Sequence, residues 1–237
     1  HIIKGDSFRE ILQFAENVNA DLIVLGPHKR TAEACQDIFA DETVKNIIRN
    51  TIRPVLMVKK PPLDAYKKIL VSVDFSAPSR RAFYEAARLV PDADFYLLHA
   101  YEIPFSGFIR DEYAEEEFRK EHNKNFQELV DAVQQDLVRE GLRNLKITKL
   151  LSRGTASAEI QETAAKFGVE LLAMGTKGKS KLRRMLIGSV AESVLRSAGC
   201  DILVIPAAAV AGSASEPGSE TAPIAASGTA TGSTTTT

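Results

Sequence analysis

The sequence predicts an α/β protein with an open, doubly wound parallel sheet. Short apolar runs, typical of strands buried on both faces, alternate along the chain with segments whose apolar residues recur at helical spacing. Alternation of this kind favours a parallel sheet that is covered by helices on both faces. With right-handed crossovers, the element order suits a sheet of five strands.

The first 60 residues contain two predicted helices and two predicted strands. The first helix follows Asp6 or Ser7, either of which can cap it, and the second carries Val44 and Ile48 on one face. The strands are predicted at residues 22–25 and at residues 54–58, which begin at Pro54 and end at Val58. Residues 61–65 include two prolines and are interpreted as a linker.

Residues 66–206 are interpreted as a complete domain. Its strands are predicted at residues 68–74, 95–100, 145–151, 171–174 and 201–205. Its helices are predicted to begin after residue 76 or 79, near residues 111 and 156, and at residue 189. Residues 207–237 are rich in Ala, Ser, Thr and Gly and hold little that could form a core, so we expect a disordered tail.

An internal repeat divides the chain. The aligned pairs, first copy first, are Gly5 with Gly154, Leu22 with Leu171, Gly26 with Gly175, Arg49 with Arg196 and Val55 with Ile202. The offset is 149 residues before the glycine loop and 147 after it, as a duplicated domain with one longer loop predicts. Residues 1–60 therefore match only the second half of residues 66–206, and we expect a tandem protein truncated at its N-terminus.

Composition indicates a globular protein and no particular polymer partner. The net charge of −1 at pH 7 offers no argument for nucleic-acid or membrane binding. No secretory signal and no apolar run of membrane-spanning length is visible. The two cysteines, Cys35 and Cys200, are expected to be free thiols in a cytoplasmic protein.

The stretch from Gly175 to Ser189 carries the strongest functional signal. Its spacing is G-x2-G-x9-G-S, with glycines at Gly175, Gly178 and Gly188, between a buried strand and a helix start. Glycines let backbone N–H groups approach a ligand, and a helix N-terminus presents unpaired donors with partial positive charge. Ser189 could cap that helix, and five basic side chains in the loop favour an anion. We therefore predict a phosphate site, the alternative being an ordinary strand-to-helix loop.

Neither of two better-known phosphate motifs is present, since both the P-loop and the dinucleotide fingerprint have other spacings. The spacing found resembles the ATP-binding signature of the universal stress protein family. The run Val73-Asp74-Phe75-Ser76 and the run Leu98-His99-Ala100 extend the resemblance over nearly all of residues 1–206. It implies a five-stranded parallel sheet of order 3-2-1-4-5 that binds ATP at the carboxyl ends of its central strands.

The resemblance also implies a set of binding residues. They are Ser72, Val73 and Asp74 near the base and ribose, Ala100 and Met174 against the nucleotide, and Gly175, Lys177, Gly178, Gly188, Ser189 and Val190 around the phosphates. Asp74 would accept hydrogen bonds from ribose or adenine; its alternative role is a helix cap or turn residue. His99 is either a pocket residue or a structural group.

The first copy departs from this pattern. Lys29 stands where Gly178 does, and Asp41 and Glu42 stand where Gly188 and Ser189 do. Carboxylates at these positions would repel a phosphate. We therefore expect residues 1–60 to bind no ATP.

Three functions remain open at this stage. The first is a regulatory stress protein that responds to ATP, with or without Mg²⁺. The second is a slow ATPase or nucleotide-processing enzyme, although no nucleophile–base pair or acidic metal cluster is visible. The third is an interaction module that retains the loop as a relic. The apolar terminal strands at residues 54–58 and Asp201–Ile205 are expected to pair two copies, within one chain or in a homodimer.

Overall fold

A computed structural model of the chain describes residues 4–27, 41–59, 64–102, 112–142, 145–177 and 187–211. The strands are β1 (Ile23–Leu25), β2 (Val55–Met57), β3 (Lys68–Ser72), β4 (Asp94–Tyr101), β5 (Lys146–Arg153), β6 (Leu171–Gly175) and β7 (Asp201–Ile205). The helices are α1 (Ser7–Asn17), α2 (Glu42–Asn50), α3 (Ala77–Leu89), α4 (Glu112–Arg139), α5 (Ala156–Phe167), α6 (Ser189–Ser197) and α7 (Ala208–Ala211). None of these helices combines the length and apolarity needed to cross a bilayer.

The strands form a single sheet in the order β1-β2-β7-β6-β3-β4-β5. The predicted α/β class is confirmed, and the five strands of the later copy lie in the order β5-β4-β3-β6-β7. Neighbours are parallel except β2 and β7. The five strands expected for residues 66–206 are present, and β1 and β2, from the first 60 residues, extend the sheet to seven.

The two copies meet antiparallel at β2 and β7. Leu56 pairs with Leu203, its counterpart in the repeat, and the flanking pairs are Val55 with Val204 and Met57 with Ile202. The pairing is therefore symmetric about Leu56 and Leu203, because the counterparts of Val55 and Val204 in the repeat, Ile202 and Met57, also pair with each other. Within each copy the register is also equivalent, since Ile23 pairs with Val55 as Leu172 pairs with Ile202.

Apolar residues cover both faces of the sheet. One core cluster lies under α1, α2, α5 and α6, and includes Ile47, Ile160 and Val194. The other lies under α3 and α4, and includes Phe83 and Phe126. Burial of these clusters is the main source of stability for the sheet.

A polar network joins the two segments on either side of the linker. The Asp201 carboxylate accepts a hydrogen bond from the Lys59 backbone N–H at 2.7 Å and one from the Tyr66 hydroxyl at 2.6 Å. The buried Lys59 ammonium donates to the carbonyl oxygens of Leu195 and Ala198, at the end of α6. A cation at a helix C-terminus satisfies carbonyl groups that have no partner within the helix.

Two expectations about element ends are corrected. The cap of α6 is Gly188 rather than Ser189, and it makes no side-chain capping bond. The first residues of the predicted disordered tail include the short helix α7, which starts three residues after Ile205, the last residue of β7. Residues 212–237 lie outside the described part of the chain. The start of α3 was predicted after residue 76 or 79, and the structure shows that Ser76 is its cap, with Pro78 in the first turn.

Candidate functional site

A cavity of about 310 Å³ opens at the carboxyl ends of β3, β4 and β6. From β3 the chain proceeds outward through β4 and β5 on one side, and through β6 and β7 on the other. Ligands of open α/β sheets bind at such a reversal of strand order. A cavity of this size is at the lower end of the range for small-molecule sites.

The structure brings the predicted site residues together around this cavity. The predicted residues that line it are Ser72, Val73, Asp74, Ala100, Met174, Gly175, Lys177, Gly188, Ser189 and Val190. Gly178, also predicted, lies outside the described residues, as do the basic residues of the loop that follow Lys177.

Further residues line the cavity without having been predicted. They are Ser79, Leu98, Ala156, Ile160, Thr176 and Ala191, together with His99, for which two roles were open. Ile160 and Ala156 come from α5, which no local motif connects with the glycine loop. Thr176 is adjacent to Gly175, and its position directly after the strand is the one signal that could have identified it.

The N-terminus of α6 forms one wall of the cavity. The N–H of Gly188 donates to Thr176 O at 2.8 Å, and the first helical bond joins Glu192 N–H to Gly188 O. Between these bonds lie the N–H groups of Ser189, Val190 and Ala191. No hydrogen bond among the described residues uses these donors. Each of the three residues lines the cavity.

The equivalent helix of the first copy begins differently. The cap of α2 is Asp41, whose Oδ1 accepts a hydrogen bond from Thr43 N–H at 2.7 Å. A carboxylate of the protein thus occupies the place at which an external anion would meet the helix dipole. The strands that flank α2 and those that flank α6 pair in equivalent register, and the two helices differ in what stands at the N-terminus.

Asp74 belongs to a tight turn between β3 and α3. Its Oδ1 accepts hydrogen bonds from the Ser76 backbone N–H at 3.1 Å and the Ser76 hydroxyl at 2.5 Å. Phe75, between them, has a φ of 59°, a left-handed conformation that is uncommon outside glycine. No hydrogen bond among the described residues reaches Asp74 Oδ2. The turn role of Asp74 is therefore present, and it leaves one carboxylate oxygen for a ligand.

His99 connects the end of β4 to the same turn. Its Nδ1 lies 2.7 Å from the carbonyl oxygen of Val73. The ring packs on Phe75 at 4.6 Å between centroids and on His122 of α4 at 4.8 Å. His99 thus lines the cavity and also has a structural partner, so its two proposed roles do not exclude each other.

No group of three or more His, Cys, Asp or Glu side chains that could hold a metal ion occurs among the described residues.

Comparison with known proteins gives consistent results. Residues 1–59 and 65–206 match the family model described as the universal stress protein family. A universal stress protein of Methanocaldococcus jannaschii is 34% identical over 145 residues, covering 59% of this chain and 82% of the relative. A putative universal stress protein of Staphylococcus haemolyticus is 30% identical over 141 residues, covering 59% of this chain and 84% of the relative.

Solved structures show the same fold. A putative universal stress protein from Pseudomonas aeruginosa gives a TM-score of 0.61 at 23% identity, covering 88% of this chain and 72% of that one. The universal stress protein UspA from Lactobacillus plantarum gives 0.51 at 22% identity, covering 60% of this chain and 99% of that one. At these identities the likeness concerns the fold alone.

Proposed function

The chain belongs to the universal stress protein family, and from this premise we propose that it binds ATP in the cavity at the carboxyl ends of β3, β4 and β6. Family membership makes it a stress-response protein. In the proposal, ATP changes its conformation or its affinity for a partner. Such a change requires that ATP binds one of two states more tightly than the other.

The observation that carries this proposal is the N-terminus of α6, whose cap residue, Gly188, makes no side-chain capping bond. Ser189, Val190 and Ala191 line the cavity, and no acceptor among the described residues bonds to their backbone N–H groups. Phosphate oxygens would satisfy these donors and interact favourably with the helix dipole. In the first copy, the Asp41 carboxylate already fills this role at α2.

The other end of the cavity suits a nucleoside. Asp74 offers one carboxylate oxygen for ribose hydroxyls, which are hydrogen-bond donors. Apolar surface for a base comes from Val73, Ala100 and Met174. The Lys177 side chain would add positive charge near the phosphates.

The proposal assigns ATP binding to one of two unequal copies. Residues 66–206 form the complete, binding copy, and residues 1–60 are the second half of a degenerate copy, with residues 61–65 as linker. β2 and β7 already pair within the chain, so any homodimer would use another surface or exchange these strands. The proposed compartment is the cytoplasm, where a thiol such as that of buried Cys200 stays reduced.

Isothermal titration calorimetry of the full chain with ATP tests the proposal, with and without Mg²⁺. We expect one ATP per chain. Phosphate release measured under the same conditions separates a binding protein from a slow ATPase. Absence of ATP binding by the folded protein would contradict the proposal and favour an interaction module with a relic loop.

A further inference from the structure

We propose that His99 is a positioning residue for the nucleotide site: it holds the carbonyl group of Val73, and through it the Asp74 turn, in the geometry that binds ligand. This inference rests on the proposed function, since it concerns the same cavity. No motif in the sequence assigns His99 this role. The argument has three steps, which are the end of the strand ladder, the packing of the ring and the connection to Asp74.

The backbone-to-backbone hydrogen bonds between β3 and β4 end at Val73. The Val73 N–H still donates to the Leu98 carbonyl at 2.8 Å, whereas the Val73 carbonyl oxygen meets the His99 side chain at 2.7 Å. A carbonyl oxygen can only accept, so Nδ1 of His99 carries the proton in this bond. Val73 is buried, and a buried carbonyl group without a partner is costly.

The imidazole of His99 is held by aromatic rings from two other parts of the chain. It packs on Phe75 of the turn at 4.6 Å and on His122 of α4 at 4.8 Å, and Phe126 of α4 approaches it edge-on at 6.3 Å. His122 in turn hydrogen-bonds through Nδ1 to the Phe118 carbonyl within α4. The His99 ring therefore has a defined orientation before any ligand arrives.

The orientation of the Val73 carbonyl sets the position of Asp74. The peptide group that joins the two residues is planar, so a rotation of the carbonyl also moves the Asp74 N–H and α-carbon. The Asp74 N–H donates to Ser79 Oγ at 3.4 Å, a long bond that would fix this plane only weakly. Phe75, the next residue, has an unfavourable backbone conformation that requires outside support. The His99 bond supplies that support at the cavity wall.

Three variants separate the hydrogen bond from the packing of the ring. His99→Phe keeps an aromatic ring and removes the donor. His99→Asn removes the ring but can place its side-chain amide nitrogen near the position of Nδ1. His122→Phe is the matched control, because it alters the stacked neighbour and leaves the bond to Val73 intact.

ATP titration calorimetry on the four proteins tests the inference. We expect His99→Phe to weaken ATP binding by about tenfold, as for a lost buried hydrogen bond. We expect His99→Asn to recover most of the affinity and His122→Phe to bind as the wild type does. Thermal denaturation confirms folding of each variant. Wild-type affinity in folded His99→Phe, or no recovery by folded His99→Asn, would overturn the inference and leave the proposed function standing.

Two measurements without nucleotide give signatures that a purely structural loss of packing would not produce. Nitrogen-15 NMR should find the His99 proton on Nδ1, the less common tautomer of a neutral histidine. Amide hydrogen exchange at Ser76, whose N–H bonds to Asp74, should accelerate in His99→Phe and stay slow in His99→Asn. A proton on Nε2 and none on Nδ1, or unchanged exchange in His99→Phe, would contradict the inference. Failure of the wild type to bind ATP would overturn both proposals together.

Discussion

Gly175 and Pro78 lie so close that a β-carbon at position 175 would fall 2.7 Å from the β-carbon of Pro78. Gly175 ends β6, and Pro78 is in the first turn of α3. Helix α3 therefore packs directly against the backbone of the strand that forms the cavity floor. The absence of a side chain at Gly175 brings the glycine loop and the Asp74 turn together.

We expect Gly175→Ala to destabilise the protein by about 1 to 3 kcal/mol, as overpacking typically does. The matched control is Gly26→Ala, the equivalent change in the first copy, where no described atom lies within 4 Å of the added β-carbon. Urea denaturation of both variants measures the difference. Equal free energies of unfolding for the two variants would show that α3 can move away from the added methyl group without loss of stability.

We expect the double variant Gly188→Asp with Ser189→Glu to lose ATP binding. It copies Asp41 and Glu42 of the first copy onto α6, and Gly188 has a φ of −67°, which any residue can adopt. A carboxylate about 4 Å from a phosphate charge costs on the order of a few kcal/mol at an effective dielectric near 20. Affinity should fall roughly a hundredfold or more, as measured by calorimetry.

The control for that variant is Gly188→Asn with Ser189→Gln, which adds nearly the same volume without charge. In both double variants the new β-carbon at position 188 would lie 3.2 Å from Thr176 O. The neutral variant should retain more affinity than the charged one. Similar losses in the two variants would assign the effect to size instead of charge.

The exposed side chain of Val24, on β1, leads to a prediction about stability. Val24 of β1 is 57% exposed, whereas its repeat counterpart Ala173, on β6, is fully buried. β6 is paired with β3 on its other edge, and α3 packs against β6. We expect Val24→Lys to change the free energy of unfolding by no more than about 0.5 kcal/mol. Ala173→Lys should destabilise the protein by several times as much, because it buries an unpaired charge.

Urea denaturation of the two lysine variants, under identical conditions, is the measurement. A destabilisation by Val24→Lys as large as that by Ala173→Lys would mean that the face above β1 is covered in solution. That result would direct attention to a partner at this surface.

Alkaline pH should weaken the fold through Tyr66. Burial raises the pKa of Tyr66 above its ordinary value of 10.0, and the hydrogen bond to Asp201 raises it further. The folded state thus holds the phenolic proton more tightly than the unfolded chain. Its contribution is fully present below about pH 10 and declines above it, by at most about 1.4 kcal/mol per pH unit for one proton.

The variant Tyr66→Phe has no such proton to lose. It should be less stable than the wild type at pH 8, since it leaves Asp201 short of a donor. Its stability should also decline less between pH 9 and pH 11. Denaturation curves at a series of pH values measure this, and an equally steep decline in both proteins would refute the role of Tyr66.

Local patterns were sufficient to predict the alternation of strands and helices and most of the residues that line the cavity. The helix at Ala156–Phe167 and the last strand at Asp201–Ile205 follow from apolar periodicity, which depends only on neighbours in the chain. Glycine spacing and the Asp74 run pointed to residues that the structure places around one cavity, since parallel strands bring their carboxyl ends to the same edge.

Only the tertiary structure showed which strands, helix ends and side chains contact one another. The sequence left open whether the terminal strands pair within one chain or in a homodimer, and the structure joins them within the chain, with Leu56 opposite Leu203 in a sheet of seven strands. Gly188 caps α6 because its N–H reaches Thr176 O, and His99 holds Val73 because the ladder of β3 and β4 ends there. Such contacts depend on distances between elements, whereas the sequence specifies directly only what adjacent residues can form.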